Sequence, residues 1–150
     1  MRDRLWRTAL ALTRCRDQAD DLTQQTLCTL LAGHPDHAEQ FAYARRTMLR
    51  LWLDRQRSVR RWLRRVARWS RTARRSAEDD DVLPIAEDYE RAQRAIETLP
   101  ARQRATIVLR LVEELDYQQI AAMLDCSVQT VRANLHLARR RVRRCIGEPP

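Results

Sequence analysis

An all-α fold is predicted for this 150-residue chain: two small helical domains joined by a flexible linker. Three observations carry that expectation. The chain has two glycines, Gly33 and Gly147, too few for the positive-φ turns of β-hairpins or for a glycine-rich phosphate loop. Apolar residues recur at i, i+3 and i+4 spacing through most of the sequence, which is the helical period. An acidic stretch parts two arginine-rich blocks, as expected of two modules on a tether, and the length allows one or two small domains.

The cationic charge is carried by arginine alone, for the 29 basic residues include no lysine. Guanidinium groups fork onto phosphate oxygens, so a net charge of +9 points to a polyanionic partner. Residues 43–77 hold thirteen arginines against one aspartate, residues 78–99 eight acids against two arginines, and residues 126–150 six arginines against one glutamate. No run approaches the ~20 apolar residues of a membrane span, and MRDRLW lacks a signal-peptide core, so a cytoplasmic location without membrane insertion is expected. In a reducing compartment Cys15, Cys28, Cys126 and Cys145 are expected as thiols, with Cys28 and Cys126 half-buried.

Leu5, Trp6, Ala9, Leu10 and Thr13 predict a first amphipathic helix, broken at Arg14–Arg16. A second spans Asp17–Leu31, with Ala19, Leu22, Thr23, Thr26, Leu27, Leu30 and Leu31 on one face and Asp17, Asp20 and Asp21 near its N-terminal dipole. Its opposite face carries Asp20, Asp21, Gln24, Gln25 and Cys28, which is polar but sparsely basic and better suited to docking a protein than to holding DNA. Gly33, His34 and Pro35 end that helix, and a loop to Gln40 follows. Cys28, His34 and His37 fit no standard zinc spacing and lack a fourth ligand, so no metal is assigned. From Phe41 to Arg75 there is neither glycine nor proline. Phe41, Ala44, Met48, Leu51 and Trp52 keep helical period, and Val59, Trp62, Leu63, Val66, Trp69 and Ala73 extend an apolar stripe among arginines. That mixture suits either base stacking on melted DNA or packing on a partner helix.

Glu78 to Asp81 open an acidic linker that reaches Pro84. Beyond it, Tyr89, Ala92, Ile96 and Leu99 predict a short helix. Pro100 opens the next, continued by Ile107, Val108, Leu111 and Val112. Tyr117–Leu124 reads as a helix with Ile120, Ala121 and Leu124 inward, followed by a tight turn at Asp125 and Cys126. Ser127 is a natural N-cap for a last helix whose buried stripe is Val128, Val131, Leu135 and Ala138. This is the helix-turn-helix arrangement. Its docking geometry makes Gln129, Thr130, Arg132, Ala133, Asn134 and His136 candidate base readers and Arg139 and Arg140 candidate phosphate contacts.

Taken together, these residues resemble the extracytoplasmic-function (ECF) sigma factors of the sigma-70 family of bacterial RNA polymerase. QADDLTQQTL at Gln18–Leu27 is similar to the family's polymerase-binding helix, and FAYARRTMLRLWLDRQR to the helix that reads the minus-10 element. The segment from Leu99 to Arg143 is similar to its minus-35-binding domain. The resemblance implies a region 2-like domain at 1–75, an acidic linker at 76–87 and a region 4-like helix-turn-helix domain at 88–147. It implies that Asp20, Asp21, Gln24 and Gln25 face the polymerase β′ clamp helices, with the β subunit also a partner. The loop after Gly33 and the helix from Tyr43 to Arg57 would capture minus-10 bases, with Arg45, Arg46, Arg50, Arg55 and Arg57 on the backbone. Ser127, Gln129, Thr130, Arg132, Ala133, Asn134, His136, Arg139 and Arg140 would meet minus-35 DNA. The chain departs from the pattern with Gln25 for Glu, Arg50 and Leu51 near a usual Asn, Asp125 for Gly and Asn134 for Arg.

The function expected is a promoter-specificity subunit without catalysis or cofactor, whose partners are core RNA polymerase, promoter DNA and an anti-sigma factor covering the apolar stripe Val59–Trp69. A free-standing helix-turn-helix regulator is the alternative, but it leaves the Asp–Gln face without a role. A small hydrolase is disfavoured, because nucleophile, base and oxyanion groups do not converge in the pattern.

Overall fold

A computed structural model describes residues 1–33, 40–69, 91–92 and 94–145, the side chains of 65–69 excepted. All regular structure among them is helical. The first group comprises α1 (Arg2–Thr13), α2 (Arg16–Gly33) and α3 (Gln40–Trp69). The second comprises a short helical stretch at 94–98 (α4), then α5 (Ala101–Leu111), α6 (Tyr117–Leu124) and α7 (Val128–Cys145). The expected acidic linker lies outside the described residues.

Helices α1 and α2 form an antiparallel hairpin across a break only two residues long. Arg14 adopts the left-handed conformation (φ 60°), and its N–H returns to the Leu10 carbonyl at 2.8 Å. A left-handed residue after the last helical turn satisfies an orphan carbonyl there, normally at a glycine. Leu5, Ala9 and Leu12 of α1, Ala19, Leu22 and Leu30 of α2, and Ala44, Met48, Leu49 and Trp52 of α3 make the buried seam. Thr26 enters this core without cost to its hydroxyl, which donates to the Leu22 carbonyl one turn back at 2.7 Å. Leu31, expected on that seam, is instead 75% exposed beyond its end. At the close of α2 the chain runs hard against α3: a Cβ on Gly33 would stand 3.3 Å from the Tyr43 hydroxyl.

In the second group, Pro100 caps α5 from the N-cap position rather than from inside the helix. Buried residues on α5 are Ala105 to Leu109, while Leu111 and Val112, expected to continue the stripe, are exposed. The run of apolar residues there has no unique face, and α5 turns its central part toward three neighbours: α1, α6 and α7. It also touches α3, so the apolar centres of both groups join in one buried cluster from Leu5 to Ala138.

Candidate nucleic-acid and polymerase interfaces

The helix-turn-helix is built by two caps and one left-handed residue. Asp116 accepts from the Gln119 N–H at 2.8 Å while the Gln119 side chain accepts from the Asp116 N–H at 3.0 Å, a reciprocal capping box that starts α6. Asp125 ends α6 at φ 50°, a conformation that aspartate tolerates better than most residues, and the Cys126 N–H closes onto the Ala121 carbonyl at 3.1 Å. Ser127 Oγ then accepts from the Thr130 N–H at 3.1 Å and starts α7.

With Val131, Leu135 and Ala138 inward, the rest of α7 is fixed by its period. Gln129, Thr130, Arg132, Ala133, His136, Arg139 and Arg140 are exposed on the outer side, and Asn134 is half-buried. Ser127 is exposed too, but its hydroxyl is engaged in the cap and lies 2.9 Å from Thr130 Oγ1. Beside them runs a groove of about 650 Å³, lined by Tyr117, Leu135 and His136 and by Arg132, Arg139, Arg140, Arg143 and Arg144. Arg110 and Arg132 stack over the Tyr117 ring at 5.6 and 5.9 Å from its centroid. Tyr117, Arg143 and Arg144 are not among the residues expected at the DNA face. Their part in this groove follows from α6 crossing α7, which no local pattern encodes.

On the first group, Asp20, Asp21, Gln24 and Gln25 all lie exposed on one face of α2, as the helical period requires. Asp20 is held from behind by the Trp6 indole N–H. Cys28, expected half-buried, is exposed because it falls on this same face and not on the seam. His34 and His37 lie outside the described residues.

Along α3, Arg46, Arg50, Arg55 and Arg57 are exposed. Arg57 pairs with Asp54 one turn back at 3.0 Å. Arg46, Arg50 and Arg57 line a groove of about 500 Å³, whose other wall includes Arg102 and the α6 end at Met123 and Asp125. Arg45 differs from these four. It is half-buried, stacks on Phe41 at 5.3 Å and pairs with Glu113 of the second group at 3.0 Å. On α5, burial lowers the basicity of Arg104; Glu97 opposes the shift and Arg14 adds to it. The aromatic stripe also divides. Trp52 is a core residue, whereas Val59, Trp62 and Leu63 are exposed.

Residues 89–142 match the family described as Sigma-70, region 4. Over 146 residues the chain is 31% identical to the ECF RNA polymerase sigma factor SigE of Mycolicibacterium smegmatis, an alignment covering 94% of this chain and 56% of that protein. It is 48% identical over 46 residues to the ECF RNA polymerase sigma-E factor of Escherichia coli (strain K12), covering 31% of this chain and 24% of the relative. The chain thus spans about half the length, or less, of these curated relatives. Its fold is similar to that of the sigma factor RpoE solved in complex with the anti-sigma factor NepR from Bartonella quintana. The TM-score is 0.69 at 21% identity, over 95% of this chain and 89% of that one. The second half thus matches a sigma-70 region 4 domain, and the chain is similar along nearly its whole length to an ECF sigma factor.

Proposed function

We propose that this chain is a promoter-specificity subunit that binds core RNA polymerase in the cytoplasm and directs it to promoters with a minus-10 and a minus-35 element. The observation that carries the reading is the outer face of α7, where Gln129, Thr130, Arg132 and His136 stand together on a capped helix whose stripe of Val131, Leu135 and Ala138 is buried in the fold. Such a helix enters a major groove with its N-terminal side chains at base edges and its later arginines on phosphates.

On this reading Gln129, Thr130, Arg132, Ala133, Asn134 and His136 read minus-35 bases, with Ser127 ordering the helix start and Arg139 and Arg140 holding the backbone. Arg46, Arg50, Arg55 and Arg57 follow the minus-10 strand, joined by Arg45. Asp20, Asp21, Gln24 and Gln25 dock on the β′ clamp helices, with β contacted further along the chain. The role is one of binding and placement, without catalysis. The exposed Val59–Trp62–Leu63 patch is the surface that an anti-sigma factor would cover when polymerase is absent.

The test is gel filtration of the purified chain with bacterial core RNA polymerase, comparing wild type with Asp21→Arg. Co-elution that the substitution abolishes is the expected result. A chain that binds duplex DNA but never co-elutes with polymerase would overturn the reading in favour of a free-standing helix-turn-helix regulator.

A further inference from the structure

Arg132 stands exposed on the outer side of α7, and among the described residues neither a carboxylate nor a carbonyl engages its guanidinium. Arg45 and Arg57, by contrast, are each paired with an acid at 3.0 Å. What Arg132 has instead is a ring: its Cζ lies over Tyr117, 5.9 Å from the centroid. The face of an aromatic ring attracts a guanidinium by charge alone and takes none of its five N–H donors. A side chain held in this way is directed, yet its whole hydrogen-bonding edge stays available to a ligand.

The ring is itself fixed. Tyr117 is the first residue of α6, straight after Asp116, where the reciprocal bonds between Asp116 and Gln119 set the backbone. Its side chain is half-buried and packs on the buried cluster. From α5, Arg110 also lies over the ring at 5.6 Å, and its Nη1 donates to the Leu115 carbonyl at 2.8 Å. The Leu115 N–H closes onto the Leu109 carbonyl at 3.2 Å, so the residue two places before the ring is bonded through both its backbone groups. Tyr117 and Arg132 border two recesses at once: the groove of about 650 Å³ along α7, and one of about 410 Å³ that reaches Arg110, Asp116 and Val128. Arg132 therefore has room on two sides, with an acid, Asp116, beside the smaller one. Among its described contacts only the ring sets its direction.

We propose that Tyr117 is a positioning residue: its ring face sets the Arg132 guanidinium before DNA arrives and thereby determines how sharply that arginine discriminates its base. This deepens, and rests on, the reading of Arg132 as a contact to minus-35 bases. Arginine reads guanine through two parallel N–H bonds in one plane. A freely rotating side chain loses its rotamer freedom to reach that plane, whereas one already held by a ring loses less on binding. The benefit falls on the base that faces Arg132, and phosphate contacts elsewhere on α7 do not depend on it.

The experiment uses the full chain and has two parts. On the free chain, NMR relaxation of the arginine Nε–H groups compares Arg132 in wild type, Tyr117→Phe and Tyr117→Leu. Arg132 is expected to be more ordered in wild type and Tyr117→Phe than in Tyr117→Leu, and more ordered than Arg139 within the wild-type chain, a comparison that needs no variant to fold. Equal order in Arg132 and Arg139 overturns the proposal. Fluorescence anisotropy then uses a duplex selected from a randomised pool and the same duplex changed at the one position that Arg132→Ala relaxes. Tyr117→Leu is expected to lower discrimination there about two- to fivefold, the range of an exposed cation–π contact. It should leave other positions and the salt slope unchanged, and have no further effect in an Arg132→Ala background. Tyr117→Phe should retain the discrimination. A loss of equal size in Tyr117→Phe would make the hydroxyl itself a DNA contact, and a loss spread over all positions, or persisting without Arg132, would make the ring a structural prop; each overturns the proposal. A chain that selects no duplex fails the underlying reading instead, and the order of Arg132 on the free chain tells the two failures apart.

Discussion

The Trp6 indole N–H donates to the Asp20 carboxylate at 2.8 Å, tying the exposed face of α2 to the helix before it. Two adjacent aspartates on one face therefore have different jobs. Asp20 orders the hairpin of α1 and α2, and Asp21 projects without such a tie in the described contacts. Asp20→Ala is expected to lower stability by about 1–2 kcal/mol, as for a hydrogen bond to a charged group. Asp21→Ala is expected to leave the urea midpoint unchanged and to weaken co-elution with polymerase.

Trp52 fills the centre of the first helical group at 1% exposure, and its indole N–H has no hydrogen-bond partner. The ring counts here for its volume rather than its polarity. Trp52→Ala should cost about 3–5 kcal/mol, while Trp52→Phe should cost visibly less because no hydrogen bond is lost. Urea titrations followed by circular dichroism separate the two.

The caps around the helix-turn-helix are the third point of test. Asp116→Ala removes one half of a capping box, and Ser127→Ala the sole side-chain cap seen at the start of α7. Each is expected to lower the stability of the second helical group by about 1 kcal/mol. Ser127→Ala should also weaken duplex binding, through disorder of the first turn of α7 rather than through a lost base contact. Thermal unfolding and anisotropy on the same samples check both.

Base reading and phosphate holding should divide along α7. With a duplex selected from a randomised pool, Arg132→Ala is expected to relax the preference at one position and cost about 1–3 kcal/mol. Arg139→Ala should weaken selected and scrambled duplexes alike and lower the slope of log K against log salt by about 1. Equal slopes in wild type and Arg139→Ala would place that residue off the backbone.

How far the sequence could be read depended on the range of the forces involved. The limits of α6 are those its local pattern predicts, Tyr117 to Leu124, because a strong N-terminal cap and a residue tolerant of positive φ stand at its two ends. The inward face of α7 is equally legible: of the expected stripe Val128, Val131, Leu135 and Ala138, the last three are buried and Val128, in the first turn, is half-buried. For α5 the same logic misassigned Leu111 and Val112: in a nearly unbroken apolar run the buried face is chosen by neighbours distant in sequence. Arg45 is the clearest case at the candidate site. Its type and spacing match those of the exposed arginines around it, and only Glu113, 68 residues away, sets it apart.

Helix α3 is anchored by Ala44, Met48, Leu49 and Trp52 and then continues unbroken to Trp69, with Val59, Trp62 and Leu63 exposed to solvent. Seventeen residues of α-helix past Trp52 amount to about 25 Å. Mechanically this is a cantilever, clamped at one end and free of core anchoring toward Trp69. Trp69, from which the chain goes on toward its second half, is thereby displaced from the centre of the first group, and any force applied at that end acts on the centre with the leverage of a rigid beam.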